Sequence, residues 1–313
     1  NFKSFSSERG ILRYAGIDHY AYKASVEISP TSVWDVFVDP FTSKIITATS
    51  LVMQQSTPSS GEDLLGNQRS FRSFKNGESY LLVDDVSEST QIKIGTYPAN
   101  SEGSLPVVSS SQPNSGWDPA GVSALVNAEL SYKYFSETHG RNSFDNKGAD
   151  LVQFVNYEKE QGTCYDNAFW NGTMVYGTGC LPTFRNWAAA TDVAVHELAH
   201  GVVQHTSGLR YSNQSGALNE SFADVFGVLA TDTTDWLLGS DAYVTPGRFI
   251  RSLSNPPSNG RQPGHMDNFQ QLANTPETDH GGVHINSGIP NRAMYLLAEG
   301  LTTEGLGASI GRN

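Results

Sequence analysis

Apolar and small side chains crowd the stretch 188–206. Val193, Ala194, Val195, Leu198, Ala199, Val202 and Val203 leave little of its circumference for water, which predicts a nearly buried helix. Two more apolar-periodic runs, 216–230 and 286–300, predict further helices. Earlier, Asp118 stands as an N-cap ahead of a helix reaching to about Thr138, with Leu125, Leu130, Tyr134 and Phe135 as core candidates. The rest of the first half reads differently. Runs at 25–28, 33–38 and 44–53 read as strands, with Asp39-Pro40-Phe41-Thr42-Ser43 as a turn. Short strands follow over 63–97, with Asn76-Gly77 as a hairpin turn, then a Ser/Pro/Asn-rich loop at 99–116 and strands at 151–157 and 168–176. Strands ahead of helices predict an α+β fold without internal repeats.

The nearly buried helix has polar exceptions. In Val195-His196-Glu197-Leu198-Ala199-His200-Gly201 the two histidines sit four residues apart, one turn up the same face, where both imidazoles can hold one metal beside Glu197. A catalytic zinc needs three protein ligands and an open position. Glu220 lies in the second apolar run and returns as the third ligand if the two helices pack antiparallel through Ser207-Gly208. Asp224, one turn on, can then accept the free ring N–H of a ligand histidine. The competing reading is a helix with two solvated histidines, but buried His and Glu need partners or a metal.

The match extends past this motif. Asp166-Asn167-Ala168-Phe169-Trp170-Asn171-Gly172, Ser207-Gly208-Leu209-Arg210-Tyr211, Gln214-Ser215-Gly216-Ala217-Leu218-Asn219-Glu220 and the segment from Asp279-His280-Gly281-Gly282-Val283-His284 to Asn291 occur in one order. In these segments the chain resembles the thermolysin family of zinc metalloendopeptidases from about Gly61 to its last residue. The resemblance implies a β-rich N-terminal half and a mainly helical C-terminal half with zinc in the cleft between them. Glu197 would be the general base. His284 and Tyr211 would be donors to the developing oxyanion, and Asp279 would hold His284. Asn167 and Ala168 would bind substrate backbone, and Arg251 a substrate carbonyl. Val193, Ala242 and Ile250 would line an apolar pocket, implying cleavage before a bulky hydrophobic residue. Read from the residues alone, His284 also fits a satisfied histidine in a Gly-Gly turn, Tyr211 a packed tyrosine and Arg251 a surface ion pair. His205 falls off the metal face, and His19, His265 and His280 read as surface or loop histidines.

Composition narrows the classes. With 313 residues, 38% hydrophobic and 17% charged, the chain can bury a sizeable core. A net charge of −12 argues against nucleic acid or an anionic membrane surface as partner. No run has the apolar length of a membrane span. The first ten residues are polar, so any targeting segment is expected to have been removed. Cys164 and Cys180 are two free thiols or one bridge; the secretion that the resemblance implies favours a disulfide and an extracellular protein.

Three domains are expected: 1–55, 56–190 and 191–313. Trp34-Asp35-Val36-Phe37-Val38-Asp39-Pro40 and Lys44-Ile45-Ile46 resemble the end of the family's inhibitory propeptide, a partner carried in the same chain; a β extension of the catalytic domain is the alternative. Residues 55–61 read as a linker, with maturation expected within 54–62. The family's calcium cluster is thinned: Asp192 and Asp235 remain, but neighbouring positions read Val228, Thr231, Leu237 and Ser240. At most one weak calcium site is expected, with Asp232 or Asp241 assisting. The resemblance also implies further C-terminal helices beyond Asn313. The leading function is a secreted zinc endopeptidase. A zinc aminopeptidase would need acidic residues for a free amine near the cleft strand, and a propeptide-blocked or truncated binding scaffold would have no need of Glu197.

Overall fold

The computed structural model describes residues 3–14, 17–29, 32–50, 56–87, 90–96, 107–231 and 234–300. The chain divides into two compact units, Asn1–Gln55 and Ser56–Asn313.

The first unit is an antiparallel meander of β1 (Lys3–Tyr14), β2 (Ile17–Ser29), β3 (Ser32–Val38) and β4 (Ile45–Ser50), paired in that order. Asp39 shapes the expected turn, its Oδ1 accepting the N–H groups of Phe41 and Thr42. β1 and the first half of β2 were not legible, because Ser, Glu and Arg break the alternation of β1 and Asp18, His19 and Lys23 interrupt the apolar run of β2. Among the described side chains of this unit, Ala21 and Asp35 are buried, while Ile11, Phe41 and Ile45 stand exposed.

In the second unit, β5 (Ser56–Glu62) pairs along its whole length with β6 (Gln68–Asn76), so 56–61 is strand and not linker. Its Ser/Thr/Pro/Gly composition masked a period-2 burial that seats Ser59 and Gly61 inward. β7 (Ser79–Leu81) follows the Asn76-Gly77 turn, and β10 (Ser109–Ser110) closes this sheet in the order β10-β7-β6-β5, after β8 (Val83–Asp85) and β9 (Gln91–Thr96) have begun the next. That second sheet is mixed, ordered β12-β13-β11-β9-β8, and adds β11 (Leu151–Tyr157), β12 (Ala168–Trp170) and β13 (Met174–Gly177). The stretch 168–176 is two antiparallel strands of a hairpin that turns after Trp170. Asn171 turns it, its Oδ1 accepting the N–H of Thr173, and Gly172 supplies φ of 99°. β12 is left as an edge strand.

α1 (Pro119–Lys133) is capped by Asp118, whose Oδ1 accepts the N–H of Ala120 at 2.9 Å, and passes into a wider turn over Tyr134–Thr138. It shares one core with β9, β11 and α2 (Thr191–Gln204), in which Leu125, Phe135, Val195 and Leu198 are buried. Asn186 caps a single 3₁₀ turn at Trp187–Ala189 and the extended Ala190 breaks the chain there, so α2 starts at Thr191 instead of 188. α3 (Asn213–Ala230) begins earlier than its apolar periodicity suggested and packs antiparallel to α2. β14 (Leu237–Leu238) and β15 (Arg251–Ser252) form a two-stranded ribbon. α4 (Asp279–Asn286) and α5 (Gly288–Glu299) end the described chain. Strands thus precede helices, as the α+β reading expects. Gly201 is where α2 passes β12: a Cβ there would lie 2.7 Å from the Trp170 ring.

Candidate active site

Helical spacing brings His196 and His200 of α2 together, their Nε2 atoms 3.0 Å apart. Glu220 enters from α3, its Oε2 3.5 Å from His196 Nε2 and its Oε1 3.4 Å from His200 Nε2. Around tetrahedral zinc, with bonds of about 2.0–2.1 Å, ligand atoms stand roughly 3.4 Å apart, so this triangle has the size of a zinc face. Glu220 Oε2 is buried and receives no hydrogen bond. An orphaned carboxylate oxygen facing His196 Nε2, with its partner oxygen facing His200 Nε2, is a donor set that a metal satisfies, and two imidazoles with one carboxylate suit zinc.

The remaining ring nitrogens are held from behind. His196 Nδ1 lies 2.9 Å from Asp224 Oδ1, and His200 Nδ1 lies 2.8 Å from Asn219 Oδ1. These partners direct each Nε2 lone pair into the triangle. Asp224 is fully buried and is itself fixed: Arg251 donates to its Oδ1 through Nε (3.0 Å) and Nη2 (2.7 Å), and Asn291 donates to its Oδ2 at 2.8 Å. Burial alone would raise the Asp224 pKa, but the Arg251 charge and His196 hold it below the usual carboxylate range.

Glu197 is buried, lines the same cavity and accepts no hydrogen bond among the described residues. Burial pushes its pKa up, against the pull of His196 and His200. Opposite stand Tyr211 and His284, with the Tyr211 hydroxyl 3.0 Å from His284 Nε2 and also donating to Glu220 Oε1. Asp279 accepts from both the ring (2.6 Å) and the backbone N–H (2.7 Å) of His284. Burial lowers the His284 pKa, but Glu220 and Asp279 outweigh it and the net shift is upward. His280, Gly281 and Gly282 all take positive φ, which turns the chain sharply enough for Asp279 to face His284 from only five residues back.

The cavity, about 590 Å³, is lined along one side by Asn167, Ala168, Phe169 and Trp170 of the edge strand and on another by Val193, Leu238, Ile250 and Arg251. Ala242, expected on this wall, is fully buried and does not line it; its carbonyl accepts the N–H of Arg185 while Leu238 and Trp187 face the space. Cys164 and Cys180 are joined in a disulfide that ties Asp166–Asn167 to the end of β13. His205 donates from Nδ1 to Gly201 O and packs on Phe144, away from the triangle. His265 and His280 do have neighbours, Asp267 and the Tyr211 ring.

Asp192 spends both oxygens on the N–H groups of Val193 and Gly239, and Asp235 accepts the N–H of Leu237. Neither joins a group of three acidic or histidine side chains among the described residues, and Asp232 lies outside them. Sequence reasoning missed Asn219 and Asn291 as holding residues. Asn219, directly before Glu220, was the detectable one, since a helical residue nineteen positions from His200 in the returning helix faces it.

The thermolysin metallopeptidase catalytic-domain model matches residues 58–204, and the alpha-helical-domain model matches 207–312. A Brevibacillus brevis bacillolysin is 42% identical over 285 residues, covering 89% of this chain and 51% of that protein. The Bacillus pumilus neutral protease NprE is 45% identical over 225 residues, 70% of this chain and 72% of the relative. Among solved structures, the precursor of protealysin, a metalloproteinase from Serratia proteamaculans, superposes with a TM-score of 0.56 at 39% identity, covering 66% of this chain and 67% of that one. The chain spans about half the length of several of the curated relatives it matches. No helix among the described residues is long and apolar enough to cross a membrane. Two family models matched in order along the chain, together with a relative 45% identical over 72% of its own length, make this chain a member of the thermolysin metallopeptidase family.

Proposed function

We propose that this chain is a secreted zinc endopeptidase that hydrolyses peptide bonds on the N-terminal side of bulky hydrophobic residues. The observation that carries the reading is the triangle of His196, His200 and Glu220 with Glu197 open to the same cavity. Zinc held there supplies Lewis acidity toward a substrate carbonyl and toward water. The chain's own groups do the rest. Glu197, with its pKa raised by burial, takes a proton from the attacking water and delivers it to the leaving amine. Tyr211 and His284 donate toward the oxygen on which negative charge develops, and Asp279 keeps the His284 ring oriented. Substrate adds as a strand along the open edge of β12, with backbone partners at Asn167 and Ala168. Its large apolar side chain fills the space between Val193 and Ile250.

The first unit is proposed as the tail of a prosegment; the similarity to a solved protealysin precursor supports this. A single weak calcium site at Asp192 or Asp235 completes the proposal, since burial and the nearby Asp241 raise the Asp192 pKa to about 6 and a cation would settle its charge. Homology to extracellular proteases supports secretion. Measured side by side, wild type and Glu197→Gln are expected to hold about one zinc each, with peptidase activity about 10²–10⁴-fold lower in the variant. Full activity in Glu197→Gln, or no zinc in the wild type, would overturn the reading.

A further inference from the structure

A second cavity of about 720 Å³ adjoins the first, for Trp187 and Ile250 line both. Its walls carry an aromatic run in which Phe184 stacks on Trp187 at 5.3 Å and meets Tyr243 at 4.5 Å. Two cations line it as well. The Arg248 guanidinium lies 5.6 Å from the centre of the Tyr243 ring, an arrangement that orients the group without neutralising it. Arg261 is held through its backbone, its N–H given to Asn259 Oδ1 and its carbonyl accepting from Gln270. Among the described residues neither guanidinium has a carboxylate partner. The one acidic group on the lining is Asp166, whose Oδ1 already accepts the N–H of Cys180 at 2.5 Å. In a chain whose net charge is −12, a cavity with two unpaired arginines and one engaged carboxylate is a local reversal of sign.

We infer that Arg248 and Arg261 determine specificity: they select an acidic side chain within two residues after the large apolar residue that follows the cleaved bond. The inference rests on the endopeptidase reading for its direction, because Ile250 forms the wall between the space for that apolar residue and the cationic cavity. An extended peptide advances about 3.3 Å per residue, so one or two residues carry a side chain past this wall. There a Glu or Asp meets two exposed guanidinium groups beside an aromatic wall, where the planar fork of arginine matches a carboxylate. The same acidic side chain on the opposite side of the cleaved bond gains nothing from this pair.

The test uses the full chain and quenched peptides with Phe after the cleaved bond and Glu, Gln or Lys at either of the next two positions. The kcat/KM ratio of Glu to Gln peptide is expected to be about three- to tenfold at one of these positions, with Lys lowest, and to shrink in about 0.5 M salt. In the Arg248→Gln/Arg261→Gln double variant the ratio is expected to fall to about one, while Arg248→Lys/Arg261→Lys retains part of it. A ratio of one in the wild type, or a preference that survives the double Gln variant, would overturn the assignment. Calorimetric binding of the same peptides to Glu197→Gln protein reads the preference without turnover: Glu binding tighter than Gln supports it, and equal affinities refute it. Failure to cleave any of the peptides, by contrast, sinks the endopeptidase reading and leaves the binding measurement to decide the charge preference.

Discussion

Asn219 Oδ1 lies 2.8 Å from Nδ1 of His200, an amide on α3 holding the ring of a histidine on α2. Asn219 also donates to Leu209 O, which leaves its carbonyl oxygen facing the ring. Outer partners of this kind set the tautomer and the direction of the opposite nitrogen. Asn219→Ala is therefore expected to weaken zinc binding by about 10–100-fold while the far-ultraviolet circular dichroism stays native. Chelator competition measures the affinity; unchanged competition would show that α2 alone orients His200.

Asp224 is a buried charge with a buried charge beside it. Removing it leaves Arg251 without its bidentate acceptor, and such half-broken pairs cost about 3–5 kcal/mol. Asp224→Ala is expected to lower the melting temperature sharply, and Arg251→Met added to it should recover part of the loss. Equal stability of the two variants would argue that Arg251 finds water or Glu220 instead.

Gly201 allows α2 to lie against the Trp170 ring, whose Nε1 donates to Gln204. Gly201→Ala forces a methyl into that contact and is expected to cost about 1–3 kcal/mol. Since Trp170 ends the edge strand, KM for long peptides should rise more than kcat falls. A KM equal to wild type would mean that the strand yields without consequence for substrate.

Glu129 on α1 hydrogen-bonds Asp84 on β8, and the two carboxyls share a partly buried site. Burial, and then the Asp84 charge, push Glu129 from 4.5 to about 7. The folded chain therefore binds an extra proton between these values, and stability falls as pH rises through that window, with the full penalty above about 7. Glu129→Gln is expected to raise stability at pH 8 by about 1 kcal/mol after allowance for solvent screening, and to change little at pH 4. Thermal melts at the two pH values check this; a gain at pH 4 as large as that at pH 8 would refute it.

The zinc triangle was legible because His196 and His200 are local in sequence and Glu220 returns on a helix whose apolar period is clear. Asp118, Asn76-Gly77 and the Asp39 turn were legible for the same reason: caps and turns are settled within a few residues. What escaped depended on partners far along the chain. β5 needs β6 to look like a strand, since Ser56-Thr57-Pro58-Ser59-Ser60-Gly61 has no β character of its own. Ala242 looked like a wall residue by position, yet the chain path through Arg185 buries it. Asn291 gains its role only once α5 folds back on α3, 67 residues from the carboxylate it grips.

That grip has a consequence for anyone wishing to borrow the site. Asp224 joins three stretches of chain, touching His196 from α2, Arg251 from β15 and Asn291 from α5. The aim of a single imidazole is thus information stored across about a hundred residues, and a two-helix fragment carrying His196, His200 and Glu220 would keep the ligands but lose their bearing. Mutational drift in α5, outside the lining of the cleft, is expected to register as a change in metal affinity. Transplantation of the motif will succeed in scaffolds that bring an equivalent of this three-way anchor, and the anchor is the part to copy first.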